Sequence, residues 1–213
     1  AGPGDDILQG GPGNDILDGG ANNDTYVFAA NSPLGDDSIL EAAGGGIDLI
    51  DFSKTSSFAV VINLNQALLQ VVNGNLRLAL ADPTAIENVI GTPAADILIS
   101  NGADNVLAGA GGDDTYIFDG DVPQGSDTIA EAPGAVGGVD TISFASTSTL
   151  PVRFDLSLET LQFAVVAPGP PSTPRVRLLL VSGQSIENLV GGSKDDIFVG
   201  KDRKSTRLNS SHT

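Results

Sequence analysis

Residues 1–27 read A-G-P-G-D-D-I-L-Q, G-G-P-G-N-D-I-L-D and G-G-A-N-N-D-T-Y-V, one frame of nine residues written three times. Asp6, Asp15 and Asp24 fill its sixth slot, and Leu8, Leu17 and Tyr26 its eighth. A short fixed period with one acid and one apolar anchor per unit is the pattern of a solenoid. Glycines at slots one, two and four permit positive φ and a tight turn. The last three slots then form a short strand, with slot eight facing inward and slots seven and nine outward.

Turns of such a coil alternate between two edges, so the next unit on the same edge lies eighteen residues along. That stacks Asp6 on Asp24 at one strand spacing, roughly 5 Å. Two carboxylates at that distance repel by about 3 kcal/mol at an effective dielectric of 20. A hard cation reverses the sign, and calcium takes about six to eight oxygens of the kind that carboxylates and turn carbonyls supply.

The frame resembles the nonapeptide G-G-x-G-x-D-x-U-x of the repeats-in-toxin family, secreted bacterial proteins with a parallel β-roll; residues 10–18 match every defined slot. The resemblance implies calcium held between same-edge turns by slot-six aspartates and by slot-two and slot-four carbonyls. Carried onto this chain, that means Asp6 and Asp24 with the carbonyls of Gly2, Gly4 and Gly20. The frame departs at Asn22, where the family has glycine. Gly11, Gly13 and Asp15 form the equivalent turn of the other edge, where counting back eighteen residues leaves Asp15 without a partner in the chain. The resemblance also implies type I export and folding outside the cell.

The chain then repeats itself at a longer period. D-T-Y-V-F at 24–28 returns as D-T-Y-I-F at 114–118, and G-D-D-S-I-L-E at 35–41 as G-S-D-T-I-A-E at 125–131. G-I-D-L-I-D-F-S at 46–53 returns at 138–145, and A-I-E-N-V-I-G at 85–91 returns at 185–191. The chain therefore reads as two copies of a module of about ninety residues. The second copy is longer where the first has Asn73-Gly74 between apolar runs, a two-residue hairpin signal; there the second has a proline-rich loop. Insertions are tolerated best at exposed loop tips, so both copies support a hairpin.

Between the copies the nine-residue spacing resumes, with Asp96, Asn105 and Asp114 in slot six and Leu98, Leu107 and Tyr116 in slot eight. Glu87 extends this register backwards and Asp196 restarts it after the second copy. Threonine, alanine, serine and asparagine replace several turn glycines here, so Asp96 with Asp114 is expected to bind more weakly than Asp6 with Asp24. Triplets at Asp37/Ile39, Asp48/Ile50, Asp127/Ile129 and Asp140/Ile142 indicate coils with longer turns. Leu64–Gln70 is the sole helix candidate, and it is short.

The expected architecture is all-β: a parallel β-roll or β-solenoid with hairpin-containing segments. Its divisions are calcium-binding turns at 1–27, a hairpin segment at 28–90, degenerate turns at 91–117, a second hairpin segment at 118–190 and a further roll start at 191–201. Residues 202–213 resemble a translated sequencing adapter and are set aside from fold reasoning. No methionine occurs in the chain, which reads as an internal fragment.

Net charge at pH 7 is −17, and without the final segment's three bases and one acid it is −19. Such acidity argues against nucleic acid or an anionic membrane as partner. Cysteine and tryptophan are absent, and the single histidine lies in the final segment, so neither a thiolate metal site nor a histidine-based catalytic group is available. Paired acids could serve glycoside chemistry, but solenoid turns pair acids for ions. Asp119-Gly-Asp121 opens like an EF-hand, yet Pro123 and Ala130 break that pattern. The expected function is calcium binding without catalysis, in a module that folds and stiffens a larger extracellular chain. Two alternatives are the secretion and stability region of an exoenzyme, and an adhesin or surface-layer repeat.

Overall fold

The computed structural model describes residues 1–131, 138–167, 173–181 and 186–200, with the backbone of Thr206–Asn209. The described residues contain no helix, and most strands run parallel in stacks, as in a β-roll. The first sheet stacks Ile7–Leu8, Thr25–Val27, Leu49–Asp51, Asn88–Ile90, Val106–Ala108, Ser126–Ile129 and Thr173–Leu180. The second stacks Ile16–Leu17, Gly35–Ile39 and Leu76–Leu80. A third takes Val61–Asn63, Ile97–Ile99, Thr115–Ile117, Asp140–Ser143 and Ile186–Val190. A fourth pairs Arg153–Asp155 with Asp196–Val199.

The order in which the chain visits these sheets gives the architecture. It alternates between the first and second as far as Leu49–Asp51, then opens the third at Val61–Asn63. It returns to the second through an antiparallel hairpin, Gln70–Asn73 with Leu76–Leu80, whose outer strand ends that sheet. From there the roll alternates between the first and third sheets. The same manoeuvre follows later: Arg153–Asp155 opens the fourth sheet, and the hairpin of Gln162–Ala167 with Thr173–Leu180 ends the first. Each hairpin thus closes one face of the roll as another opens. The first hairpin turns at Gly74 and Asn75, one residue later than the Asn73-Gly74 signal, and the proline-rich loop of the second lies outside the described residues.

Inward positions are those the nine-residue frame predicts. Tyr26, Leu98, Leu107 and Tyr116 are fully buried, whereas the slot-seven residues Ile7 and Ile16 are exposed. The longer coils obey the same rule, with Ile39, Ile50, Ile129 and Ile142 in the core. Phe28 meets Phe52 at 5.7 Å between ring centroids, and their sequence equivalents Phe118 and Phe144 meet at 6.0 Å, both pairs tilted and within the distance at which aromatic rings attract. Residues 64–70 are not helical. The backbone of Thr206–Asn209, in the segment that the sequence reading sets aside, pairs antiparallel with Asp196–Val199; an open sheet edge offers a hydrogen-bonding template to any extended segment.

Candidate metal centre

In this parallel stack the residue two places before each inward apolar anchor, at or near the start of the strand, sits at the mouth of a turn, and that residue is usually an acid. Its Oδ1 accepts the backbone N–H of the residue at the same place one coil earlier. Along the first sheet Asp6 donates to Asp24 at 2.7 Å, Asp24 to Asp48 at 2.8 Å and Asp48 to Glu87 at 2.8 Å. Asn105 donates to Asp127 at 3.0 Å. Beside the second sheet Asp15 donates to Asp37 at 3.0 Å. Beside the third, Asp96 donates to Asp114 at 2.7 Å and Asp114 to Asp140 at 2.8 Å. Asp196 receives Val152 at 2.8 Å beside the fourth.

One oxygen of each such carboxylate is thereby satisfied, and the other is the chemically informative one. Oδ2 of Asp15, Asp24, Asp37, Asp48, Asp114, Asp127 and Asp196 is buried with no hydrogen-bond partner. Leaving a buried polar atom unsatisfied costs about 1–3 kcal/mol, more when it is charged. Burial pushes Asp114 and Asp127 up to about 8, against the opposing hydrogen bonds from the Asp96 and Asn105 amides. It raises Asp37, Asp48 and Asp196 too. Stacked, dry, acceptor-only oxygens are the donor set a hard cation requires, so the residues fit calcium on their own geometry.

The residues singled out from the sequence fall as follows. The turn of Gly2, Gly4 and Asp6 lies against that of Gly20 and Asp24: Gly2–Pro3 pairs in parallel with Gly20–Ala21, and Gly4 donates to the Ala21 carbonyl at 3.3 Å. Gly11, Gly13 and Asp15 lie against Leu34–Asp37, with Gly13 donating to the Leu34 carbonyl at 2.6 Å. Asp15 therefore has a neighbour, 22 residues on rather than eighteen back, because the next turn on that edge is four residues longer. Asp96 and Asp114 are adjacent, whereas Asn105 lies between Glu87 and Asp127. Gly4, Gly11, Gly13 and Gly20 have positive φ, and Asn22 takes the same conformation at φ 81° in place of a slot-four glycine. The slot-one glycines Gly10, Gly19, Gly91, Gly109 and Gly191 do not.

Two turns of the central block are filled from within. Asp96 Oδ1 accepts the Val60 amide at 2.7 Å and the Thr92 hydroxyl at 3.0 Å, and its Oδ2 accepts the Thr92 amide at 2.5 Å. Asn105 accepts the Asn101 amide at 3.2 Å and gives its own side-chain N–H to the Glu87 carbonyl at 2.9 Å. The slot-two residues Thr92 and Asn101, both fully buried, occupy these turns.

The densest acidic group was not picked out from the sequence. Asp24, Glu41 and Asp48, all buried, each bring a carboxylate oxygen within 4.8 Å of the others. The Tyr26 hydroxyl donates to Glu41 Oε1 and accepts the Gly19 amide at 2.9 Å. The signal was present, since Glu41 and Glu131 close the matching heptapeptides 35–41 and 125–131. A second overlooked set is slot five. Asp5, Asn14, Asn23, Asp104 and Asp113 accept amides of the following coil at 2.7–3.0 Å, a second ladder outside the acidic one.

Fold and turns together define a parallel β-roll protein whose turn mouths carry stacked, half-satisfied carboxylates. The family model for the RTX calcium-binding nonapeptide repeat, in four copies, matches residues 1–30 and 86–121, the two stretches in which the nine-residue frame runs uninterrupted. No curated protein matches the chain.

Proposed function

We propose that the chain is a calcium-binding module whose folding depends on the ion, part of a larger secreted protein that it stiffens rather than a catalyst in itself. The observation that carries this reading is the row of buried carboxylate oxygens without donors. Without a cation, their mutual repulsion and lost hydration oppose the fold. Asp6 and Asp24 with the carbonyls of Gly2, Gly4 and Gly20 would hold one ion, and Asp15 and Asp37 with those of Gly11 and Gly13 another. Asp114 and Asp196 are further ligands, while Thr92 and Asn101 take the place of an ion beside Asp96 and Asn105. A chain kept unfolded in low calcium and folded outside the cell suits the type I export that the family resemblance implies. Extracellular calcium modules bind at about 10⁻⁴ to 10⁻³ M, which matches such a switch.

Circular dichroism tests this directly. The chain is expected to be largely disordered in excess chelator and to gain a β spectrum in millimolar calcium. Magnesium at the same concentration is expected to do little, because it demands tighter octahedral geometry. A full β spectrum in chelator would sink the reading.

A further inference from the structure

We propose that each lengthened coil carries a cation site of its own, built around a glutamate: Asp24, Glu41 and Asp48 in the first, and Asp114, Glu131 and Asp140 in the second. The proposal rests on the calcium reading above but adds ligands outside it. Glu41, Asp48, Glu131 and Asp140 all lie beyond the residues that match the nonapeptide family.

The first site is defined by geometry and by unmet demand. Its three carboxylates converge within 4.8 Å. Asp24 is fully buried and Asp48 is 1% exposed, yet Oδ2 of each has no partner. A point beside the Gly19 Cα, where a side chain would begin, lies 2.2 Å from Asp24 Oδ2 and 2.6 Å from Glu41 Oε1, so both oxygens face the same small space. Carboxylates held this close inside a protein repel one another strongly unless a cation lies between them. Tyr26 holds Glu41 in place by donating to its Oε1.

The second site repeats the sequence of the first about ninety residues on, and there Asp114 and Glu131 face the same small space, with Asp140 in contact through the Asp114 amide rather than in a three-carboxylate convergence. The same point beside Gly109 lies 2.0 Å from Asp114 Oδ2 and 2.7 Å from Glu131 Oε1. Gly109 donates to the Tyr116 hydroxyl at 2.7 Å and to Glu131 at 2.9 Å, and the Asp114 amide reaches Asp140 at 2.8 Å. In the nine-residue units that begin at Gly10, Gly19, Gly91 and Gly109, glycine stands where these glutamates do. Three carboxylates and a phenol select a hard ion of high charge.

The chain's composition supplies the probe. It has two tyrosines, Tyr26 and Tyr116, and no tryptophan. Terbium substituting for calcium luminesces under tyrosine excitation only when bound close to a ring. The full chain titrated with terbium is expected to give sensitised emission that calcium displaces. Glu41→Gln with Glu131→Gln should weaken the emitting sites at least about tenfold, because ligand charge tunes affinity. Calcium-induced β structure from the nonapeptide turns should persist. Unchanged emission in that double variant would overturn the proposal, as would a wild-type chain that folds with calcium but emits nothing. A chain that neither folds with calcium nor emits would overturn the calcium reading as well. Should the double variant not fold, Tyr26→Phe and Tyr116→Phe keep every carboxylate. Each should cut emission to about half if the two sites are independent, and any other division overturns the twin arrangement.

Discussion

Gly19 shows how little of a repeat's physical logic is visible in the letters of its consensus. Slots one, two and four all read as turn glycines, but they are glycine for two reasons. Slots two and four need the left-handed backbone, as at Gly11 with φ 89° and Gly13 with φ 142°. Slot one needs space, since a Cβ would meet the slot-six Oδ2 at 2.6 Å from Gly10, 2.2 Å from Gly19 and 2.4 Å from Gly91. That distinction depends on where the acid's free oxygen points, which only the folded turn fixes. Gly19→Ala should therefore displace the Asp24 carboxylate and weaken calcium-dependent folding by about 1–3 kcal/mol, as overpacking does. Gly74→Ala should be close to neutral, because that residue has ordinary φ and nothing within 4 Å of an added Cβ. Calcium titrations followed by circular dichroism compare the two, and equal midpoints would remove the steric role assigned to slot one.

At the scale of the single turn, the worn central block replaces an ion with a side chain. The sequence makes the loss of glycine at Ala94 and Ala103 plain and suggests that restoring it would restore binding. Neither alanine has positive φ in the folded chain, and Thr92 already occupies both oxygens of Asp96. Ala94→Gly with Ala103→Gly is therefore expected to leave calcium affinity unchanged. Combining Thr92→Gly with Ala94→Gly frees the Asp96 carboxylate from the hydroxyl and returns slots two and four to glycine. This variant should lose about 0.5–1.5 kcal/mol of calcium-free stability with the hydrogen bond. It should also gain a calorimetric calcium site that wild type lacks. If glycine at 94 and 103 alone raises the affinity, the turn follows the family's backbone after all. Strand positions, inward residues and the hairpin were legible because period and alternation encode them directly. The Thr92 plug was not, because a threonine in a turn looks the same whether it faces solvent or fills the mouth.

At the scale of the whole molecule the sequence predicts a two-edged roll but not the exchange of its faces, which depends on where Val61–Asn63 and Arg153–Asp155 start new sheets. Nor does spacing reveal that lengthened coils keep their acids in line: Asp24 reaches Asp48 across 24 residues and Asp48 reaches Glu87 across 39. This continuous alignment predicts a collective response to pH. Asp114 faces Asp96, Glu131 and Asp140, and Asp127 faces Asp104; burial holds both Asp114 and Asp127 at about 8. An acid whose pKa is raised on folding contributes stability that is fully present below its unfolded value, about 3.9, and is lost as pH rises through the folded value. The calcium-free fold should accordingly gain stability as pH falls from 8 towards 5. The net charge of −17 at pH 7 shrinks over the same interval as the chain approaches its isoelectric point near 4.1, which lowers self-repulsion in the same direction. Asp82, half-buried and held low by bonds from Thr84, has the opposite sign but titrates below that range. Protons and calcium thus compete for the same oxygens. In calcium-free buffer, β-type circular dichroism should emerge on acidification, with sedimentation confirming a monomer. The calcium midpoint for folding should rise as pH is lowered from 8 to 6. A calcium-free chain equally disordered at pH 8 and pH 5, or a midpoint indifferent to pH, would mean that the buried acids are charged and satisfied without either ligand.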